Sequence, residues 1–112
     1  MTPTQRKEPV LHSIGIKIDA DNFTYSTPDN RNASTVIVQR GHRVKWNCGH
    51  GNYSILFKGE TPFAEVGIHG RGGSDTAALT VVGAPGSYKY AVHVVLPNGV
   101  VADDPEIIVE GL

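Results

Sequence analysis

The stretch Gly86-Ser87-Tyr88-Lys89-Tyr90-Ala91-Val92 decides the fold, and it directly follows a Gly83-Ala84-Pro85 turn. Side chains alternate between the two faces of a strand, so Tyr88, Tyr90 and Val92 share one face. Aromatic and β-branched residues are typical of strands with one buried face. The stretch therefore predicts a central strand of an all-β domain.

Other segments show the same two-residue alternation. Ile14, Ile16 and Ile18 predict one face of a strand over Leu11–Asp19, and Phe23 with Tyr25 predicts a short second strand. The 13 glycines and seven prolines mark many turns between short strands. Seven or eight strands in this arrangement indicate a Greek-key β-sandwich. The remaining strands are expected at Thr35–Gln39, Arg43–Asn47, Tyr53–Lys58, Ala77–Val82, Ser87–Leu96 and Glu106–Glu110, with a brief pairing at Val100 and Val101 and a long loop over Gly59–Asp75.

The chain has 112 residues, which predicts a single domain over residues 10–112 behind a flexible polar segment over residues 1–9. A net charge of −1 gives no reason to expect a nucleic acid partner. No apolar run approaches the length of a membrane span, and no apolar signal-peptide core is present. We therefore expect either a cytoplasmic protein or the mature form of a periplasmic or secreted one. We expect either a monomer or a weak homo-oligomer.

Two segments together resemble the cupredoxin family, the β-sandwich of blue copper proteins. The segment Val36-Ile37-Val38-Gln39-Arg40-Gly41-His42-Arg43-Val44-Lys45-Trp46-Asn47 is similar to the family's valine-rich strand, glycine turn and Val-x-Trp-x-Asn pattern. The segment Gly86-x-Tyr88-x-Tyr90-x-Val92 is similar to its Gly-x-Tyr-x-Phe/Tyr-x-Cys pattern. The resemblance spans about two thirds of the chain, from Val36 to Val109. It implies a cupredoxin-like sandwich with a mononuclear copper and an electron-transfer function.

The copper-ligand positions that the resemblance implies carry unsuitable side chains. Tyr53 matches the first histidine, Val92 the cysteine and Val95 the second histidine, and Asp103 or Asp104 matches the axial methionine. A blue copper ion needs a thiolate, two imidazoles and a weak thioether. Valine has no lone pair to donate, and a phenol is a poor copper ligand near neutral pH. We therefore expect no cofactor, and an apolar end built from tyrosine and valine side chains in place of the metal.

A substitute site is the alternative. Cys48, His50 and His69 could hold copper or zinc, because transition metals accept mixed thiolate and imidazole ligands. Cys48 paired with His50 could also form a nucleophile, but no third orienting group is evident. Cys48 is the only cysteine, so the chain cannot form an internal disulfide.

The prediction from the sequence is a copper-free cupredoxin-like binding module, not an enzyme, whose partner is expected to be a protein. Its contacts are expected from three segments, since loops on a rigid scaffold usually carry binding: Gly59–Asp75, Cys48–Asn52 and Pro97–Pro105. A metal-binding or metal-trafficking protein using Cys48, His50 and His69 is the second hypothesis. A cysteine-dependent enzyme is the third.

Overall fold

A computed structural model of the chain describes residues 10–20 and 22–111, so the predicted segment over residues 1–9 lies outside the described residues. The described residues form strands and no helix, and hence no helix that is long and apolar enough to cross a membrane. The strands are β1 (Leu11–Asp19), β2 (Asn22–Ser26), β3 (Thr35–Gln39), β4 (Arg43–Cys48), β5 (Tyr53–Phe57), β6 (Gly67–Gly70), β7 (Leu79–Thr80), β8 (Gly86–Leu96), β9 (Gly99–Asp103) and β10 (Glu106–Glu110).

The strands pair into two mixed sheets. The first has the order β2-β1-β4-β7, with β1 and β4 parallel and His12 opposite Val44. The second has the order β3-β10-β8-β5-β6, and β9 also pairs with β8. Because β3 belongs to the second sheet and β4 to the first, the short turn at residues 40–42 connects the two sheets.

Strand β8 is the longest strand and organises the second sheet. Along one edge, its first half pairs with β10, where Lys89 lies opposite Glu106, and its second half pairs with β9, where Val92 lies opposite Asp103. Along its other edge it pairs with β5. The predicted alternation is confirmed, because Tyr88, Tyr90 and Val92 are all buried.

The core lies between the sheets and is built from alternate residues of each strand. Trp46 is fully buried, and its indole Nε1 donates a hydrogen bond to Tyr90 Oη at 3.2 Å. The Trp46 ring also meets Phe63 edge to face at a centroid distance of 6.0 Å. Aromatic pairs in this geometry add to the stabilisation that burial supplies. Ile14, Ile16 and Ile18 fill the first sheet's side of the core, as predicted.

The all-β sandwich predicted from the sequence is confirmed, with differences in detail. There are ten described strands in place of seven or eight. One that was not predicted is β6, which lies inside the segment Gly59–Asp75 that was expected to be a loop. Its residues, Gly67-Ile68-His69-Gly70, lack the alternation that predicts a strand, and pairing with β5 holds them extended. Strand β9 is longer than the brief pairing predicted, and β7 is shorter than Ala77–Val82.

Candidate functional site

Tyr53 begins β5 and points into the core. Its phenol oxygen lies 2.8 Å from the Trp46 carbonyl oxygen and 2.7 Å from the Ser74 carbonyl oxygen, so its hydrogen is shared between two backbone acceptors. Burial first, and the negative charge of Asp75 second, raise the pKa of Tyr53 to about 12. The phenol is therefore neutral at ordinary pH. Its hydrogen bonds connect β5 to β4 and to the loop before β7.

Val92 and Val95 lie on β8 but face opposite ways. Val92 is fully buried, with Ile55 and Asp103 as its neighbours across the sheet. Val95 is 55% exposed and lies opposite Val100, which is also exposed. β8 continues as a regular strand to Leu96, and Val92 and Val95 are three positions apart. Because side chains alternate between the two faces of a strand, an odd separation places these two on opposite faces. They therefore cannot act on one common ligand.

Asp103 is the last residue of β9, and Asp104 follows it. Asp103 Oδ2 accepts a hydrogen bond of 2.8 Å from the phenol of Tyr25, which lies on β2 of the other sheet. Burial first, and this carboxylate second, raise the pKa of Tyr25 well above its ordinary value. Asp104 instead pairs with Lys58 at 2.7 Å, and the hydrogen bond from Lys58 lowers the pKa of Asp104. Both carboxylates thus have partners from within the chain.

These side chains do not form a blue copper donor set. The family's site requires a thiolate and two imidazoles converging on one point. The corresponding positions instead hold a phenol bound to two carbonyls, a buried valine, an exposed valine and a carboxylate that accepts from a second phenol. The residues at these positions therefore do not fit a blue copper ion.

The alternative metal ligands Cys48, His50 and His69 do not converge either. Cys48 ends β4 with its side chain fully buried between the sheets. The Nε2 of His50 accepts a hydrogen bond of 3.2 Å from the backbone amide of Ile18. His69 lies opposite Ser54, on the outer face of the second sheet. Within residues 10–20 and 22–111, no group of three or more histidine, cysteine, aspartate or glutamate side chains could hold a metal ion.

The outer face of the second sheet holds a groove of about 330 Å³ that sequence reasoning did not identify. Ser54 occupies its centre, with His69 opposite on one side and His93 opposite on the other. Asn52, Arg71 and Val95 also line the groove. The groove thus joins part of the predicted loop Gly59–Asp75 to the end of the predicted segment Cys48–Asn52.

Two glycines shape this region. A Cβ on Gly70 would lie 2.1 Å from Cζ of Tyr53, so the glycine leaves room for the phenol that covers it. A Cβ on Gly51 would lie 2.0 Å from the carbonyl oxygen of Val95. The amide of Gly72 donates to Oδ1 of Asn52 at 3.0 Å and ties the neighbouring loops together. Glycine therefore allows the Tyr53 phenol to approach closely at position 70 and the Val95 backbone at position 51.

Among known proteins, the chain is similar to solved structures. No protein-family model matches the chain, and no curated protein matches it. A chain of a heme-copper terminal oxidase dimer, solved by cryo-EM, is 15% identical with a TM-score of 0.52 over 98% of this chain and 76% of that chain. A proline-to-glycine variant of amicyanin in the reduced Cu(I) form is 17% identical, with a TM-score of 0.47 over 96% of this chain and 87% of that chain. An oxidized methionine-to-leucine variant of amicyanin is 15% identical, with a TM-score of 0.49 over the same shares.

At these identities the likeness concerns the fold and not the chemistry. Fold alone does not determine function, because unrelated functions are supported by the same scaffold. The two mixed sheets and the central strand β8 are the features that agree with the resemblance seen in the sequence. The chain has a cupredoxin-like β-sandwich fold.

Proposed function

We propose that this protein is a copper-free, non-enzymatic binding module that contacts an acidic segment of a protein partner through the groove around Ser54. One observation carries the proposal. Tyr53, Val92 and Asp103 are held by packing and internal hydrogen bonds, whereas the outer face of the second sheet has an open groove. The sheet therefore offers a place for binding on the face opposite to the buried Tyr53 and Val92.

The charge of the groove supports an acidic partner. Arg71 carries a positive charge, His69 and His93 contribute imidazole rings, and Ser54 and Asn52 offer hydrogen-bond donors. The side chains lining the groove, all within the described part of the chain, include no aspartate or glutamate. Arginine recognises carboxylates with two parallel hydrogen bonds, which suits the acidic side chains of a peptide.

The surroundings of Cys48 support a non-enzymatic role. Its thiol is fully buried in the core, away from the outer groove. The ring of His50, the base that could have activated it, accepts from the Ile18 amide. A nucleophile must reach its substrate and have a free base within hydrogen-bond distance.

The binding half of the proposal is tested with two synthetic peptides, hexaglutamate and hexalysine, titrated into ¹⁵N-labelled protein. We expect hexaglutamate to shift the amide signals of Ser54, His69 and His93, and hexalysine to leave them unchanged. An Arg71→Gln variant should bind hexaglutamate at least tenfold more weakly. Arg31→Gln removes the same charge from an exposed loop residue and should bind normally. Equal binding by both variants, or no shift with hexaglutamate, contradicts the proposal.

The copper-free half is tested by adding Cu(II) and following the visible spectrum. A thiolate-bound cupric ion gives an intense blue absorption, which we expect to be absent. An intense blue band that is lost in a Cys48→Ala variant would contradict this half, because Cys48 is the only thiol in the chain.

A further inference from the structure

Two histidine rings meet at the end of the sandwich where the chain passes from one sheet to the other. His12 lies near the start of β1, and His42 lies in the turn between β3 and β4. Nε2 of His12 is 2.9 Å from Nδ1 of His42, and the ring centroids are 5.1 Å apart. Both residues are half-buried. The contact therefore joins the first strand to the turn that connects the two sheets.

The neighbouring backbone fixes which nitrogen of each ring carries the hydrogen. The amide of Gln39, the last residue of β3, donates to Nδ1 of His42 at 3.2 Å, so neutral His42 carries its hydrogen on Nε2. Nε2 of His12 faces the same acceptor and must therefore be the donor of the contact between the rings. The lone pair on Nδ1 of His42 thus receives two N–H groups, one from β3 and one from β1.

This arrangement accommodates one proton but not two. A first proton can bind Nδ1 of His12, the nitrogen turned away from the contact, and both hydrogen bonds then stay in place. A second proton has to bind Nδ1 of His42, where it occupies the lone pair that both N–H groups use. Two positive rings would then face each other across a contact of 2.9 Å, and like charges at such a distance repel strongly.

The charges around the pair oppose the second proton. Asp29 is the one carboxylate among the described residues that line the cavity of about 270 Å³ beside His12. Burial first, and the neighbouring His42 second, lower the pKa of His12, while Asp29 acts in the opposite direction. Arg40 and Arg43 flank His42 in the chain and add positive charge. Strand β3, which borders both rings, has no ionisable side chain. One carboxylate can therefore balance one charged ring, but not two.

We propose that the histidine pair is an acid-sensitive closure, in which a second proton separates the two rings and releases the start of β1 from the turn. The turn is held separately, because the Gly41 amide donates to the Val81 carbonyl at 2.9 Å and the Val81 amide donates to the His42 carbonyl at 2.8 Å. The backbone bond just before β1 runs 2.8 Å from the Arg43 amide to the Val10 carbonyl. When the rings separate, this bond is the first to be lost, and the start of β1 is the element that moves.

Release of β1 opens the cavity beside the pair. His12 shares the inner face of β1 with Ile14, and Ala33 and Val36 line the cavity on its other side. Both of these residues are buried in the core. Acid therefore exposes this end of the core to solvent. The closure does not depend on the groove around Ser54, so its failure is distinguishable from failure of the proposed function.

Amide hydrogen exchange locates the release in the whole chain. Exchange is recorded by residue at about pH 7 and about pH 4.5, on either side of the ordinary histidine pKa, and is corrected for the intrinsic effect of pH on exchange. We expect the protection of the Arg43 amide to fall at least tenfold at the lower pH, and the Gly41 amide to keep its protection. Equal protection of Arg43 at both pH values, or the same loss at both amides, overturns the proposal.

The variant His12→Gln tests whether the pair causes the release. It removes one ring and its charge, so we expect the protection of its Arg43 amide to be nearly equal at the two pH values. His69→Gln removes a histidine from β6 and should lose protection at Arg43 as the unmodified protein does. An unchanged acid-induced loss in folded His12→Gln overturns the proposal.

If His12→Gln fails to fold, nitrogen spectra of the imidazole rings in the unmodified protein decide. Because the two rings interact, we expect the pair to take up its two protons in two separate steps. The Arg43 amide signal should change in the second step. Uptake of both protons in a single step overturns the proposal.

Discussion

The phenol of Tyr25 donates a hydrogen bond of 2.8 Å to Oδ2 of Asp103, and this bond connects the two sheets of the sandwich. Tyr25 lies on β2 in the first sheet, and Asp103 ends β9 in the second. The bond holds the long β8–β9 hairpin against the first sheet at a position that the resemblance assigned to an axial copper ligand. Asp103 thus serves a structural purpose in this chain.

Loss of this bond should destabilise the fold. In Tyr25→Phe, the half-buried Asp103 carboxylate loses its donor, and a hydrogen bond contributes about 0.5–1.5 kcal/mol net. We expect the free energy of unfolding, measured with urea, to fall by about that amount. Asp103→Asn keeps an acceptor oxygen for the phenol and should be affected less. Equal stability of Tyr25→Phe and the unmodified protein would show that the bond contributes nothing net.

Alkaline pH should destabilise the protein through its buried phenols. An unfolded tyrosine loses its proton near about pH 10, whereas folded Tyr53 keeps it until about pH 12. The unfolded state therefore binds fewer protons above pH 10, and the free energy of unfolding falls as pH rises from about 10 to about 12. Burial raises the pKa values of Tyr25 and Tyr90 and acts in the same direction.

The contribution of Tyr53 to this pH dependence can be isolated with Tyr53→Phe. The variant should be less stable near neutral pH, because the carbonyls of Trp46 and Ser74 lose their donor. Its stability should then fall less steeply than that of the unmodified protein between about pH 10 and about pH 12. Parallel pH profiles from urea denaturation would argue against a raised pKa for Tyr53.

Close backbone approach should make Gly51 intolerant of a side chain. A Cβ at this position would lie 2.0 Å from the backbone oxygen of Val95, and a backbone atom cannot rotate away. We expect Gly51→Ala to lower the free energy of unfolding by about 1–3 kcal/mol, as overpacking does. Gly49→Ala is the matched control, because nothing lies within 4 Å of its added Cβ. Thermal unfolding of both variants makes the comparison, and equal midpoints would contradict it.

Restoring copper-ligand residue types should not restore a blue site. In the combined variant Tyr53→His, Val92→Cys and Val95→His, the new imidazole at position 95 would point outward, because Val95 is exposed on the outer face of β8. A thiolate and one imidazole do not complete the family's donor set. We expect no intense blue absorption on addition of Cu(II) to the folded variant, with circular dichroism to verify the fold. An intense blue band would show that β8 can bend after Val92.

Much of the fold could be predicted from local patterns. The bounds of β1, β3 and β10 match the predicted segments. β1 alternates apolar and polar residues, and β3 and β10 are short runs of β-branched residues, which favour strands. Strand β6 was missed because Gly67-Ile68-His69-Gly70 has no such pattern and is extended through its pairing with β5. Phe63, which lies in the segment Gly59–Asp75, is buried in the core.

The sequence by itself determined an all-β sandwich and the absence of blue-copper residue types at Tyr53, Val92, Val95 and Asp103, since both depend on residue identity and short-range alternation. Only the tertiary structure decided which distant side chains meet. It joined Tyr25 to Asp103 and His12 to His42, and it kept Cys48 and His69 apart. The physical reason is that contacts between distant strands depend on how the two sheets pack around one core, and the alternation within a single strand does not encode that packing.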